Sequence, residues 1–255
     1  MCSSDLKGAG QTLCADAPVL DHVDVVRGNL AGGRAAGLEQ DFPEAWALAH
    51  LLLENPKMDL PKGPLADRLP FLLETDHLKT VLRASRLADN SRRENSAEHS
   101  WHVVLYVLVM GEHAATPIDV DRAIAMLLLH DIVEIDAGDN PIHGHVDQAE
   151  MEAKELAAAD RLYGLLPAQQ GADLRAVWDE FEAAQSPDAR FAKAIDRVQV
   201  PLLNLANGGG TWSDYKVTFE QLETRVGTPV KRGAPVLWDW LTPRLHAWFA
   251  NQETA

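Results

Sequence analysis

The sequence predicts an all-α fold, a helical bundle, on three observations. Apolar residues recur at helical spacing from about residue 66 onward. Helix-capping residues punctuate those runs, and no period-two alternation is flanked by hairpin turns. The pattern also divides the chain into an N-terminal extension, 1–65, partly flexible with one short helix, and a helical domain, 66–255.

In the extension, "GNLAGGRAAGLEQ" is Gly-rich, "PEAWALAHLLLEN" reads as a short helix opening at a proline, and "PKMDLPKGP" reads as a linker. The first domain helix is expected over "LADRLPFLLETDHLKTVLRASRL", with Pro70 near its start. The next, "NSAEHSWHVVLYVLVMGEHA", has Asn95 as N-cap and Glu98 three residues on, a capping box. "TPIDVDRAIAMLLLHDIVEIDAG" follows as one helix, with Thr116 as N-cap, Pro117 in the first turn and Gly138 just past the end. "DQAEMEAKELAAADRLYGLL" and "GADLRAVWDEFEAA" are amphipathic. "SPDARFAKAIDRVQVPLLNLANGGG" opens at Ser186 and Pro187, carries a kinking Pro201, and stops at three glycines. "VTFEQLETRV" and "APVLWDWLTPRLHAWFAN" complete the domain.

Composition narrows the function classes. A formal net charge of -15 argues against a nucleic-acid polymer as partner, which calls for a basic surface. It leaves room for a small anionic substrate, because a local cation can reverse the field inside a pocket. The two cysteines, Cys2 and Cys14, form neither a disulfide framework nor a zinc signature, and a cytoplasmic location is expected. No apolar run long enough for a membrane span and no signal-peptide pattern is present, so no membrane association is expected.

The chemistry concentrates in "LLLHDIVEIDAGDN", residues 127–140. On a helix, Leu127, His130, Asp131 and Glu134 share one face, apolar at its start and polar at its end. Burying a carboxylate beside an imidazole is costly unless a cation sits between them, and a divalent metal satisfies both. A structural ion pair is the alternative for that pair, and Asp196 could instead simply pair with Arg197 or Lys193. His99 stands in the first turn of one helix, and Asp196 lies among Ala192, Ile195 and Val200 on another. His99, His130, Asp131 and Asp196 would together make a four-ligand site with open positions for water and substrate. Imidazole with carboxylate suits Mn, Co, Fe, Ni or Zn, with Mg possible where water and oxygen ligands dominate. His102, one turn beyond His99, reads as packing or support. For a phosphate group the candidate cations are Arg92 and Lys193, with Arg83 and Arg86 in the segment before them. His143 and His145 lie in the loop after the pair.

The order His … His-Asp … Asp, in the strings "RRENSAEHSWH", "HDIVEIDAGD" and "AKAIDRVQ", resembles the HD-domain metal-dependent phosphohydrolases. Within them it resembles the branch of bacterial 5′-deoxynucleotidases and their eukaryotic HD-domain relatives, from about residue 66 to 245. The resemblance implies metal ligation by His99, His130, Asp131 and Asp196. It implies that Glu134 orients or deprotonates the attacking water and that Asp139 assists. It also implies release of phosphate from nucleoside 5′-monophosphates, often deoxy, by a homodimer. One departure is visible: those deoxynucleotidases place an arginine and a tryptophan before the motif, to contact phosphate and sugar, whereas "VLRASRLADNS" has Arg83 and Arg86 and no tryptophan.

Three other readings compete. One is an HD hydrolase acting on another phosphate ester, such as a nucleoside triphosphate, a cyclic nucleotide or a small promiscuous ester. A two-iron HD oxygenase would need further histidines between the His-Asp pair and Asp196, and only His143 and His145 lie there. A non-catalytic scaffold would have no use for an intact ligand set with Glu134 beside it.

Overall fold

The structure, a computed structural model, describes residues 63–144 and 147–253. The expected helix in "PEAWALAHLLLEN", most of the N-terminal extension, and His145 lie outside the described residues.

Helix α1 (Leu69–Thr75) is short, with Pro70 in its first turn, and gives way to a 3₁₀ turn (Asp76–Thr80). The long helix expected here therefore ends early. Its second half is a hairpin: strand β1 (Leu82–Arg86) pairs antiparallel with β2 (Arg93–Asn95), with an irregular register between Leu82↔Asn95 and Arg86↔Arg93. β-branched Thr80 and Val81 disfavour further helix, and "DNS" supplies the reversal. Asp89 Oδ1 accepts from the backbone N–H of Ser91, and Asn90 takes φ 60°. The hairpin is the only sheet among the described residues, so the fold is all-α with one small ribbon.

Helix α2 (Ser96–Met110) starts at the expected capping box: the Asn95 side chain accepts from the Glu98 N–H, and Glu98 accepts from the Asn95 N–H. Helix α3 (Val120–Leu129) begins later than expected. Its N-cap is Asp119, whose side chain accepts from the Arg122 N–H, so Thr116 and Pro117 precede the helix. α3 also stops at Leu129. Hydrogen bonds from Ile132 N–H to the Leu129 carbonyl and from Glu134 N–H to the Asp131 carbonyl tighten the chain into 3₁₀-like turns before α4 (Glu134–Ala137). Gly138, at φ 77°, ends that helix as expected.

Helices α5 (Gln148–Tyr163) and α6 (Ala168–Ala183) pack side by side, and α6 starts one turn before the sequence suggested. Helix α7 (Pro187–Ala206) is the centre of the domain. It opens at Ser186 and Pro187, continues through Pro201, and packs on α2, α3, α6, β1 and the C-terminal helices. Its buried Ala189, Ala192 and Ala194 let neighbours come close, while Phe191 and Ile195 fill the core. Each such large apolar side chain contributes about 1.5–3 kcal/mol on burial. The three glycines turn the chain out of α7, all at positive φ. After them come α8 (Thr211–Asp214), α9 (Phe219–Leu222), a π turn, α10 (Thr228–Gly233) and α11 (Pro235–Glu253). Gly233 lets α10 touch α7, because a Cβ there would stand 2.1 Å from the Arg190 carbonyl oxygen. Two apolar clusters result, one around α2, α3, α5, α6 and α7, the other around Trp212, Trp238, Leu241 and Leu245.

Candidate metal centre and its cavity

Three helices and the turn after α3 bring together the residues that the sequence left far apart. His99 comes from the first turn of α2, His130 and Asp131 from the end of α3, and Asp196 from the middle of α7; all four are buried. One ligand atom each from His99, His130 and Asp196 lies within 4.8 Å of the others. His99 Nε2 is 3.1 Å and His130 Nε2 is 3.7 Å from Asp196 Oδ1. Asp131 completes the group with Oδ1 2.9 Å from His130 Nε2 and Oδ2 4.0 Å from His99 Nε2.

The imidazoles are oriented from behind. His130 Nδ1 is 2.9 Å from the Leu127 carbonyl oxygen and donates to it, which leaves Nε2 as the bare nitrogen facing the centre. That Nε2 is buried and makes no hydrogen bond. His99 Nδ1 faces Glu94 Oε2 at 3.5 Å. Glu94 is itself held by the Gln199 amide at 2.9 Å, and Gln199 also reaches His102 Nδ1 at 3.2 Å.

Arg83, on β1, is set among carboxylates. Its Nη1 donates to Asp131 Oδ2 at 2.7 Å and stands 3.6 Å from Glu134 Oε1 and 3.7 Å from Asp139 Oδ1. Burial alone would favour the neutral guanidine, but Asp131, Glu134 and Asp139 outweigh it and keep the charge. Glu134 Oε2 accepts from Ser96 Oγ at 2.5 Å, and Asp139 Oδ2 accepts from the Ala84 N–H at 3.0 Å. Burial, reinforced by Asp131, pushes the Glu134 carboxyl up, and burial likewise raises Asp139.

The cluster is short of positive charge. Burial and Arg83 both work against protonation of His99, yet Asp196, Glu94 and Asp131 push its imidazole up to about 9. A field that draws a proton onto a buried histidine also favours a divalent cation. With the orphaned His130 Nε2 and a His, His, Asp, Asp donor set, the residues fit a metal ion that accepts nitrogen and oxygen ligands.

A cavity of about 680 Å³ opens on this cluster, within the range of small-molecule sites. Its wall includes His130, Asp131 and Asp196, the carboxylates Glu134 and Asp139, and the cations Arg83, Lys193, Arg197 and Arg225. Lys193 Nζ is 3.1 Å from Glu182 and 3.9 Å from the centre of the Phe181 ring. Of the other cations expected to meet phosphate, Arg92 is exposed and paired with both oxygens of Glu98 at 2.7 and 2.8 Å, away from the cavity. Arg86 lies at the far end of β1 and does not line the cavity. Sequence reading did not single out Glu94, Ser96, Gln199 or Arg225, and weighed Arg197 only as a partner for Asp196. Gln199 carried a usable signal, since it is three residues from Asp196 and so on the same helical face.

A family model described as HD domain matches residues 75–238. A 5′-deoxynucleotidase of Bos taurus is 29% identical over 154 residues, 58% of this chain and 73% of that one. A 5′-deoxynucleotidase of Pasteurella multocida is 28% identical over 169 residues, 62% of this chain and 84% of that one. Among solved structures, a protein described as a predicted metal-dependent phosphohydrolase from Magnetospirillum magnetotacticum MS-1 is 41% identical. It superposes with a TM-score of 0.69 over 73% of this chain and 96% of its own.

Proposed function

The chain belongs to the HD-domain family and is a metal-dependent phosphohydrolase, and from that premise we propose that it hydrolyses nucleoside 5′-monophosphates, deoxynucleotides among them, to nucleoside and phosphate. The observation that carries this reading is the convergence of His99, His130 and Asp196 beside a cavity whose wall carries His130, Asp196, five further carboxylates and four cations. The names of the relatives support the substrate class.

His99, His130, Asp131 and Asp196 would hold the ion, which can be Mn, Co, Fe, Ni, Zn or Mg on donor chemistry. When bound, it supplies Lewis-acid polarisation of a phosphoryl oxygen and a water of lowered pKa. Glu134 Oε1, left free by the Ser96 bond to Oε2, receives the proton of the attacking water. The water oxygen bonds to phosphorus, the phosphorus–O5′ bond breaks, and the proton taken up by Glu134 passes on to O5′ of the departing nucleoside, which returns Glu134 to its carboxylate form. Arg83 stands ready to neutralise phosphoryl charge, held by Asp131 and Asp139. Lys193 and Arg197, on successive turns of α7, face the same space.

The chain is further proposed to act in the cytoplasm as a homodimer. No helix among the described residues is long and apolar enough to cross a membrane. Trp101, Leu108 and Val109 stand exposed on α2 at helical spacing, apolar surface of the kind that association covers. Light scattering on the purified protein reads the oligomer directly. The test of function is a phosphate-release screen over nucleoside mono-, di-, tri- and cyclic phosphates with a panel of divalent metals. Turnover of monophosphates is expected; activity confined to triphosphates or cyclic nucleotides would replace this reading.

A further inference from the structure

The first turn of α2 presents two polar side chains toward the centre. His99 is one; Ser96, three residues earlier on the same helical face, is the other. Ser96 is completely buried. Its backbone N–H donates to the Val81 carbonyl at 3.0 Å, which ties the start of α2 to the chain entering β1, the strand that carries Arg83.

The Ser96 hydroxyl has one proton and two acceptors to choose from. The Val81 carbonyl oxygen is 3.5 Å away and Glu134 Oε2 is 2.5 Å away. The shorter separation is that of a hydroxyl donating to an ionised carboxylate, and the longer one lies outside the usual range for two oxygens, so the proton goes to Glu134. Glu134 opens α4, with its backbone N–H on the Asp131 carbonyl at 3.0 Å, and its side chain lines the cavity. Its other oxygen, Oε1, stands 3.6 Å from Arg83 Nη1. A glutamate on a cavity wall has several rotamers open to it. This one is fastened at Oε2 to the helix that also supplies His99.

Resting on the reading of Glu134 as proton acceptor, we propose that Ser96 is a positioning residue for hydrolysis: its hydroxyl fixes the Glu134 carboxylate with Oε1 toward the attacking water, and it sets the spacing between that oxygen and the metal ligands through the helical turn it shares with His99. A proton acceptor works only within hydrogen-bond reach of the proton it takes, so a carboxylate free to swing away spends less time in the productive geometry.

The test follows hydrolysis of dTMP and of p-nitrophenyl phosphate by single and double variants. Ser96→Ala should lower kcat on both by about 10–100-fold, the scale of one hydrogen bond to a charged group, and leave KM nearly unchanged. Ser96→Thr keeps the hydroxyl and should recover most of that loss. Ser96→Val matches threonine in shape without the hydroxyl and should stay near the alanine variant. In a Glu134→Gln background Ser96→Ala should cost nothing further, because the group it positions no longer takes a proton. Calorimetry should show metal affinity in Ser96→Ala changing far less than the about 10–100-fold that follows loss of a group bonded to a ligand. Unchanged kcat in Ser96→Ala, equal activity in the threonine and valine variants, or the full loss repeated in the Glu134→Gln background would overturn the proposal. So would metal loss large enough to account for the drop in turnover. Hydrolysis of p-nitrophenyl phosphate without dTMP would end the nucleotide reading, while the same comparisons on the chromogenic ester would still decide the role of Ser96.

Discussion

Glu94 Oε2 lies 3.5 Å from His99 Nδ1, and both side chains are almost completely withdrawn from solvent. A carboxylate behind an imidazole fixes which nitrogen carries the proton and raises the basicity of the other. Gln199 and Arg83, the latter with Nε 4.0 Å from Glu94 Oε2, hold that carboxylate in place. Glu94→Gln keeps the shape and removes the charge. The expected result is metal affinity weakened about 10–100-fold, read by calorimetry on the metal-free protein. Unchanged affinity would show that Glu94 only fills space.

Asp131 is flanked on two sides: its Oδ1 lies 2.9 Å from the bare His130 Nε2, and its Oδ2 accepts from Arg83 Nη1 at 2.7 Å. Asp131→Ala is expected to abolish both metal retention, measured by elemental analysis after dialysis, and turnover. The variant should still fold. Breaking a buried pair costs about 3–5 kcal/mol when the remaining charge has no other partner. Here Glu134 and Asp139 stay within 4 Å of Arg83, so a loss nearer 1–3 kcal/mol is expected from urea melts. Wild-type hydrolysis in this variant would remove Asp131 from the site.

The legibility of the sequence differed from element to element. The His99, His130, Asp131 and Asp196 set was readable because each is a polar residue in an apolar helical stripe, and such residues need partners. The caps at Asn95 and Ser186 were readable from side-chain chemistry. The hairpin was not: Leu82, Arg83 and Arg86 fit helical spacing as well as a strand, and only the reversal at Asp89–Asn90 decides between them. That error matters, because Arg83 reaches the site from a strand. The break at Leu129 was hidden as well, since Ile132 and Val133 continue the apolar run while the backbone tightens to place Glu134 against Ser96. Arg92 and Lys193 looked alike as sequence, and tertiary packing alone separates them.

Glu134→Gln should retain the ion, because Glu134 lies behind Arg83 and Ser96 and is outside the cluster of ligand atoms. It should lose turnover by about 10²–10⁴, the usual contribution of a positioned proton acceptor. The loss should fall on kcat rather than KM, since the amide still occupies the same space. Full activity would dismiss the role proposed for Oε1.

His143 gives a pH prediction with a definite sign. Its folded-state pKa is depressed to about 4, against about 6.5 in an unfolded chain. Between those values the unfolded chain binds more protons than the folded one, so the His143 contribution is whole above about pH 6.5 and is lost as the pH falls toward 4. The groups lowering it besides burial are Arg197 on α7 and Arg225 in the π turn. Urea melts at pH 7.5 and pH 5 should show a larger acid loss in the wild type than in His143→Gln. Equal losses would mean that the ring titrates normally.

Lys193 and Arg92 test whether cavity geometry or mere basicity places the phosphate. Lys193 lines the cavity one turn before Asp196, pinned between Glu182 and the Phe181 face. Arg92 is exposed and already satisfied by Glu98, and a surface pair of that kind is worth only about 0–1 kcal/mol. Lys193→Ala should lower kcat/KM by about 10–100-fold, the scale of a charge-assisted hydrogen bond of 1.5–3 kcal/mol. Arg92→Ala should lower it by less than about threefold and soften thermal stability slightly, since Glu98 also closes the capping box of the helix that carries His99. If Arg92→Ala lowered kcat/KM as much as Lys193→Ala did, the phosphate would lie at the start of α2 and the cavity would not be where it binds.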